Sequence, residues 1–319
     1  MKGCWSSWKP SISPQAGRET RMSYVASPSV RSYAGRQGVD LEEVAVVSGR
    51  KTLVKEDIDQ YLSGGAANMR GVQSDESARY WDVDHSEYGP VRDEPVSRMA
   101  KVAADNLTAA NAHIPQVTHH DRADIRKVEA FRAGLKDEAL ERGIKLTTLA
   151  FHVKTLTACL KAYPKFNASL SPDQQTLHLK SYVHIGIAVD TPAGLMVPVL
   201  RDVDQKGLWQ IASEIADLAA RAQARKIRPD EMGGASMSIS NLGGIGGTAF
   251  TPIVNPPEVA ILGITRTETV PVWDNDAFVP VAMVPLDLSY DHRVVNGADA
   301  ARFLSDYAGL IEDPRRMLI

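Results

Sequence analysis

Cysteine is nearly absent from this 319-residue chain: only Cys4 and Cys159 occur, far apart and outside any Cys-x-x-Cys pair. That excludes a disulfide framework and a cysteine-based zinc site, and a reducing, cytoplasmic compartment is expected. No apolar run approaches the ~20 residues needed to span a bilayer. The opening MKGCWSSWKPSISPQAGRETRM lacks the continuous apolar core of a secretory signal, so Met22 is an alternative start. Charge of one sign is missing as well. Thirty-six Lys and Arg face 39 Asp and Glu, for a net charge of −3, and no basic cluster is large enough for a nucleic-acid partner. What is plentiful is apolar matter, 44% of the residues, enough for a substantial core in two domains or one large domain with a small module.

Residues 1–23 form a leader of no assigned role, and residues 24–62 a compact helical module. Ser27 followed by Pro28 is a helix start, a capping hydroxyl ahead of a proline whose missing N–H costs nothing at the first helical position. Gly38 ends that helix, and Val54–Glu56 marks the start of a second one closing at Tyr61 and Leu62, with a loop between them. Residues 63–88, rich in Gly, Ala, Ser, Asp and Arg, read as a linker. From residue 89 to 319 the pattern is α/β. Helices are expected at 96–112, 124–141 (two), 147–163, 207–225 and 298–312. Strands are expected at 116–121, 181–188, 194–200, 235–241, 258–264, 267–273 and 278–289. Strands mixed with helices argue for a sheet covered by helices.

The segment SYDHRVVNGADAARF, Ser289–Phe303, places His292 in a polar turn between the apolar run VAMVPLDL and an amphipathic helix. A rigid strand end opening into a loop suits a general base. Upstream, SMSISNLGGIGGTAFTPIVNPP carries Ser236, Ser238 and Ser240 on one strand face. The run Gly243–Gly247 lacks the Gly-Lys-Ser/Thr that a phosphate loop requires and reads as a tight turn beside the serine strand. His119 and His120 have no further clustered ligands and read as surface residues at a strand end, and Cys159 reads as an inert core residue.

Asp291, His292, Arg293, Asn296 and Gly297 resemble the DHRxxDG signature of the acyltransferase components of 2-oxo acid dehydrogenase complexes, the dihydrolipoamide acetyltransferases, most like the pyruvate type. The serine strand, EVAILGI, PVSRMAKVAADNL and the closing MLI extend the resemblance from Gly89 to Ile319. It implies a chloramphenicol-acetyltransferase-like catalytic domain, a mixed sheet covered by helices, built as trimers with the active site between subunits. It implies catalytic roles for His292 as the base that takes a thiol proton, for Ser240 as the oxyanion donor, and for Asn296 in place of the commoner aspartate. Coenzyme A and acetyl-CoA would be substrates, exchanging an acyl group with a dihydrolipoyl group. Asp291 and Arg293 are expected to form an ion pair that stiffens the loop, and Gly297 to let the chain turn into the last helix.

Residues 24–62 resemble the peripheral subunit-binding domain of the same proteins, which holds dihydrolipoamide dehydrogenase or the 2-oxo acid decarboxylase through basic side chains. Arg31, Arg36 and Arg50 would fill that role here, although Arg36 stands one residue beyond the expected position and Val46, Val47 and Ser48 replace the usual loop. No Asp-Lys-Ala occurs, so the lipoyl group is expected on another chain, and the apolar Met317, Leu318 and Ile319 suggest trimers joined into a 24-subunit core. Two other readings stay open: a non-catalytic scaffold of such a complex, and a coenzyme A-dependent acyltransferase serving another small-molecule pathway.

Overall fold

The computed structural model describes residues 24–48, 52–62, 83–192 and 194–318. The chain divides into two compact units, Met1–Asp93 and Glu94–Ile319. In the first, β1 (Val25–Ala26), α1 (Pro28–Gln37), α2 (Leu41–Ser48), β2 (Thr52–Leu53) and α3 (Lys55–Leu62) enclose a small core of Val30, Ala34, Leu41, Val44, Leu53 and Ile58. Ser27 Oγ accepts the Val30 amide, and Gly38 closes α1 in the left-handed conformation at φ 69°. Two phenols tie the helices together, Tyr33 donating to Asp59 and Tyr61 to Glu43. The expected loop between two helices is in fact a third helix. Val46, Val47 and Ser48 are its last turn, because Leu41, Val44 and Ala45 bury one helical face. Arg31 turns back on its own module, its Nε donating to the Ala26 carbonyl at 3.1 Å and its guanidinium lying over the Tyr24 ring. Arg36 is exposed in the last turn of α1, and Arg50 lies outside the described residues. Most of the 63–88 linker lies outside them too; the described end holds a 3-10 turn, His85–Glu87, capped by Asp84.

The second unit contains α4 (Arg98–His113), β3 (Gln116–Asp124), α5 (Arg126–Gly134), α6 (Lys136–Glu141), α7 (Thr148–Ala162), β4 (Ala168–Leu170), β5 (Leu177–Leu179), β6 (Ile185–Ile187), β7 (Val199–Leu200), α8 (Leu208–Gln223), β8 (Met237–Asn241), β9 (Ala260–Ile264), β10 (Glu268–Asp274), β11 (Ala277–Asp291) and α9 (Gly297–Ile311). The main sheet runs β10-β11-β9-β8-β6-β7, with β3 paired to β11 as well. It is mixed: β8 runs parallel to β6 and β9, and the remaining pairs are antiparallel. This is the mixed sheet covered by helices that the sequence leads one to expect. The small β4–β5 hairpin had no distinct signal, since three-residue strands are too short to show alternation.

Alternation divides the sheet into two unlike faces. Met237, Ile239, Leu262, Ile264, Leu286, Leu288 and Tyr290 point to one side and build the core with α7, α8 and α9. α9 presents Ala300, Phe303, Leu304, Tyr307, Ala308 and Ile311 at three- and four-residue spacing. α7 is buried nearly all round, and its Thr155 and Thr157 hydroxyls are satisfied by the carbonyls of Phe151 and Val153 one turn back. Cys159 lies on the same helix, 1% exposed, and burial pushes its thiol up to about 12.

His152, also on α7, is fully enclosed and shares a 2.7 Å hydrogen bond with the Tyr307 hydroxyl. Burial lowers its pKa from 6.5 to about 4, against a weaker opposing pull from Glu129. The ring is therefore neutral in the fold at pH 7. As pH falls below 6.5 the unfolded chain takes up a proton that the folded chain refuses until about 4, so stability is lost on acidification. Between pH 7 and 5 this group should cost about 2 kcal/mol. Thermal or urea unfolding of His152→Gln, compared with wild type at both pH values, should show that share of the acid sensitivity removed.

Candidate active site

Ser238 and Ser240 of β8, and Ser236 just before the strand, lie on the face opposite the apolar core. Ser236 Oγ accepts the His184 amide at 3.0 Å and donates to the Tyr182 carbonyl, and Ser238 Oγ donates to Glu258 Oε1 at 3.0 Å. Both are buried and satisfied, as expected of a hydrogen-bonded strand face. Ser240 differs. It is half-buried, and its hydroxyl has no hydrogen-bond partner among the described residues. The glycine run after it is the expected tight turn: Ile245 and Gly246 return their amides to the Leu242 carbonyl, and Gly246 and Gly247 take φ of 152° and 87°.

His292 follows the last residue of β11. Its amide donates to the Pro115 carbonyl at 3.1 Å, and its exposed ring lies 5.9 Å from that of Tyr290. On either side of it the Arg293 guanidinium grips the Asp291 carboxylate, Nε donating to Oδ1 at 3.0 Å and to Oδ2 at 3.1 Å and Nη2 to Oδ2 at 2.6 Å. Asp291 is almost fully buried and also accepts the Arg293 amide. A planar fork matched to a carboxylate fixes orientation as well as charge, so the expected stiffening pair is present. Asn296 is the N-cap of α9, its Oδ1 accepting the Asp299 amide at 2.9 Å. Gly297 is simply the first helical residue. It has no positive φ, and a Cβ there would meet only ordinary contacts near 3.7 Å, so the turn does not depend on it as expected.

His292 and Ser240 are not brought together within one chain. Ser240 pairs with Gly263, and Gly263 with Asp287, five residues before His292. Two strand spacings and five residues of rise place them on the order of 20 Å apart. His292 and Asn296 share one end of the sheet, and Ser240 stands at the other.

On the helix-covered face of the sheet, opposite to the one Ser240 occupies, opens a cavity of about 570 Å³ whose lining includes Lys145, Thr148, Asn241, Ile264 and Arg266. Neither cation has an ion-pair partner among the described residues. Sequence reasoning missed both, since each is a lone basic residue in an unremarkable loop. A second cavity, about 450 Å³, lies behind the His292 loop and is lined by Asp291, Arg293, His113 and Glu258. Burial pushes the Glu258 carboxyl up, and its Oε2 has no partner. His119 and His120 are not at a strand end as expected. They lie mid-way along β3, where His119 Nδ1 meets the Tyr290 hydroxyl at 3.2 Å and His120 Nδ1 meets Asp287 Oδ1 at 2.6 Å. Among the described residues no group of three or more His, Cys, Asp or Glu is placed to hold a metal ion, and no helix is long and apolar enough to cross a membrane.

Residues 88–319 match the model of the 2-oxoacid dehydrogenases acyltransferase (catalytic domain), and the chain belongs to that family. It is 45% identical over 303 residues to the dihydrolipoyllysine-residue acetyltransferase component of the pyruvate dehydrogenase complex of Azotobacter vinelandii, covering 92% of this chain and 47% of that protein. The Bacillus subtilis counterpart is 37% identical over 310 residues, covering 96% and 70%. The chain thus spans about half the length of the Azotobacter relative. Among solved structures, the A. vinelandii dihydrolipoamide acetyltransferase, studied for the role of a serine, a histidine and an asparagine in its catalytic mechanism, is 51% identical with a TM-score of 0.73, covering 74% of this chain and 98% of that one. The cubic core of the pyruvate dehydrogenase multienzyme complex gives the same figures.

The serine strand makes its own demand on a neighbour. A Cβ on Gly186, which pairs with Ser238, would lie 2.3 Å from Ser238 Oγ and 3.0 Å from Val197 Cγ1. Gly186→Ala should therefore cost about 1–3 kcal/mol. Adding Ser238→Ala should recover part of it, and urea unfolding of the single and double variants measures the coupling.

Proposed function

We propose that this chain transfers an acetyl group between a dihydrolipoyl group and coenzyme A, as the core acyltransferase of a pyruvate dehydrogenase complex. The observation that carries the reading is the set Ser240, His292 and Asn296. In the A. vinelandii enzyme the serine, histidine and asparagine of interest are separated by the same numbers of residues. Here they are a free strand hydroxyl, an exposed imidazole at the end of β11, and a helix cap.

His292 takes the proton of the incoming thiol, since the thiolate is the nucleophile. The thiolate adds to the thioester carbonyl, and the Ser240 hydroxyl donates to the oxyanion that forms. The intermediate then collapses, and His292 returns the proton to the departing thiolate. The Asp291–Arg293 clamp stiffens the loop that carries His292, and the Asn296 cap fixes where α9 begins. Because Ser240 and His292 lie far apart in one chain, the working site needs the serine of one copy and the histidine of another, which a closed trimer supplies. Lys145 and Arg266, cations without an ion-pair partner among the described residues that line the cavity on the helix-covered face, suit the phosphates of coenzyme A. The dihydrolipoyl substrate is presented by a lipoyl-bearing domain. Arg31 and Arg36 offer the small helical unit a basic edge for dihydrolipoamide dehydrogenase or the decarboxylase.

Acetyl transfer from acetyl-CoA to free dihydrolipoamide tests this reading. His292→Ala should lower kcat by ~10²–10⁴-fold and Ser240→Ala by ~10²–10³-fold, with little change in KM. Lys145→Ala and Arg266→Ala should instead raise KM for acetyl-CoA. Wild-type protein without transfer, or a His292→Ala variant at full rate, refutes the assignment.

Trimers of this kind would join through the chain end, where Met317 packs against the core and borders an apolar cavity with Phe131, Phe151 and Leu208. A 24-subunit cube is the proposed assembly. Sedimentation of the full chain should find it, and trimers alone would refute the assembly while leaving the chemistry standing.

A further inference from the structure

One row of residues crosses four adjacent strands on the polar face of the sheet. Ser240 of β8 pairs with Gly263 of β9, Gly263 with Asp287 of β11, and Asp287 with His120 of β3. Side chains in such a row stand next to one another about 5 Å apart. Asp287 is 1% exposed, and a carboxylate that deep needs compensating donors. It has two. Oδ1 meets His120 Nδ1 at 2.6 Å, and Oδ2 accepts the Phe250 amide at 3.3 Å. The Phe250 ring then occupies the space that Gly263 leaves open: a Cβ on Gly263 would lie 2.6 Å from the ring and 3.1 Å from Asp287 Cβ. So the ring sits directly between Ser240 and Asp287.

The segment 248–254 that carries Phe250 has little structure of its own and is held at three points. Thr265 Oγ1 donates to the Thr248 carbonyl, Asp287 accepts the Phe250 amide, and Gln116 Oε1 accepts the Val254 amide. Only the middle tie lies beside Ser240, and only there does a buried charge depend on a half-exposed imidazole, His120 being 49% exposed.

We propose that His120 and Asp287 are positioning residues of the acyl-transfer site: bonded to each other and to the Phe250 amide, they hold the Phe250 ring against Gly263 as the apolar wall beside the Ser240 hydroxyl. The inference rests on the reading of Ser240 as the oxyanion donor. An apolar wall keeps water from the hydroxyl, so that its hydrogen bond is directed to the developing oxyanion alone. Loosening the wall leaves substrate binding in place and weakens what happens during reaction.

The test measures kcat and KM for acetyl transfer from acetyl-CoA to dihydrolipoamide in the full chain, with Ser240→Ala as the reference. His120→Ala should lower kcat about tenfold or more, within the range expected for misplacing a site by an ångström or less, and should change KM by less than about twofold. His120→Asn, whose amide nitrogen stands near the position of Nδ1, should restore kcat to within about threefold of wild type. Hydrogen exchange at the Phe250 amide, read independently of turnover, should quicken about tenfold in His120→Ala. Wild-type kcat in His120→Ala, alongside the loss in Ser240→Ala, would overturn the proposal, as would equal losses in the Ala and Asn variants. No transfer by the wild-type chain would instead overturn the reading of Ser240 itself.

Discussion

β11 pairs with three other strands, and nearly everything at the site is located by it. Its first half carries β10 and its second half lies between β3 and β9. A strand bonded along both edges has no freedom to slip, because a one-residue shift would send Leu286, Leu288 and Tyr290 to the polar side and Asp287, Ser289 and Asp291 into the core. That register delivers Asp291 as the last strand residue, buried and gripped by Arg293, with His292 projecting just beyond it. The histidine is thus placed by sheet pairing rather than by contacts of its own ring.

The same register has a cost for a single chain. Ser240 and His292 are each well held, but at opposite ends of the sheet, so neither can serve the other. In the proposed reaction, association is then a condition of the chemistry. The polar side of the sheet is consistent with that arrangement. Among the described residues, Ser238 and Asp287 are satisfied there, the Ser240 hydroxyl is left free, and the apolar contacts include Ile261 with Ala110, Ile114 and Val254 and the Phe250 ring against Gly263.

Much of this was legible in the residues. The apolar run before His292, the three- and four-residue spacing of α9, the Ser27–Pro28 start and the Gly38 stop each reflect a local rule that the fold obeys. Strand alternation placed Ser236, Ser238 and Ser240 on one face without separating them; in the structure Ser236 and Ser238 are hydrogen-bonded. The failures share a cause. α2 looked like a loop because Val46–Ser48 carry no helix signal outside their packing. His120 is exposed as expected, but the partners of His119 and His120, Tyr290 and Asp287, are about 170 residues away in sequence and left no local signal. Lys145 and Arg266 converge on one cavity only after the sheet and α7 are in place. Long-range pairing leaves no periodicity behind it.

The burial of Cys159 has a meaning beyond packing. The acyl transfer proposed for this chain would work among thioesters, free thiols and, in the oxidised lipoyl ring, a disulfide. Any accessible protein thiolate would be a third party to that traffic, capturing acyl groups or forming mixed disulfides. Among the described residues Cys159 is the sole cysteine. Sealed inside α7 and protonated far above neutral pH, it is chemically silent toward the cargo. In the proposed exchange, Cys159 is thereby withheld from the acyl traffic.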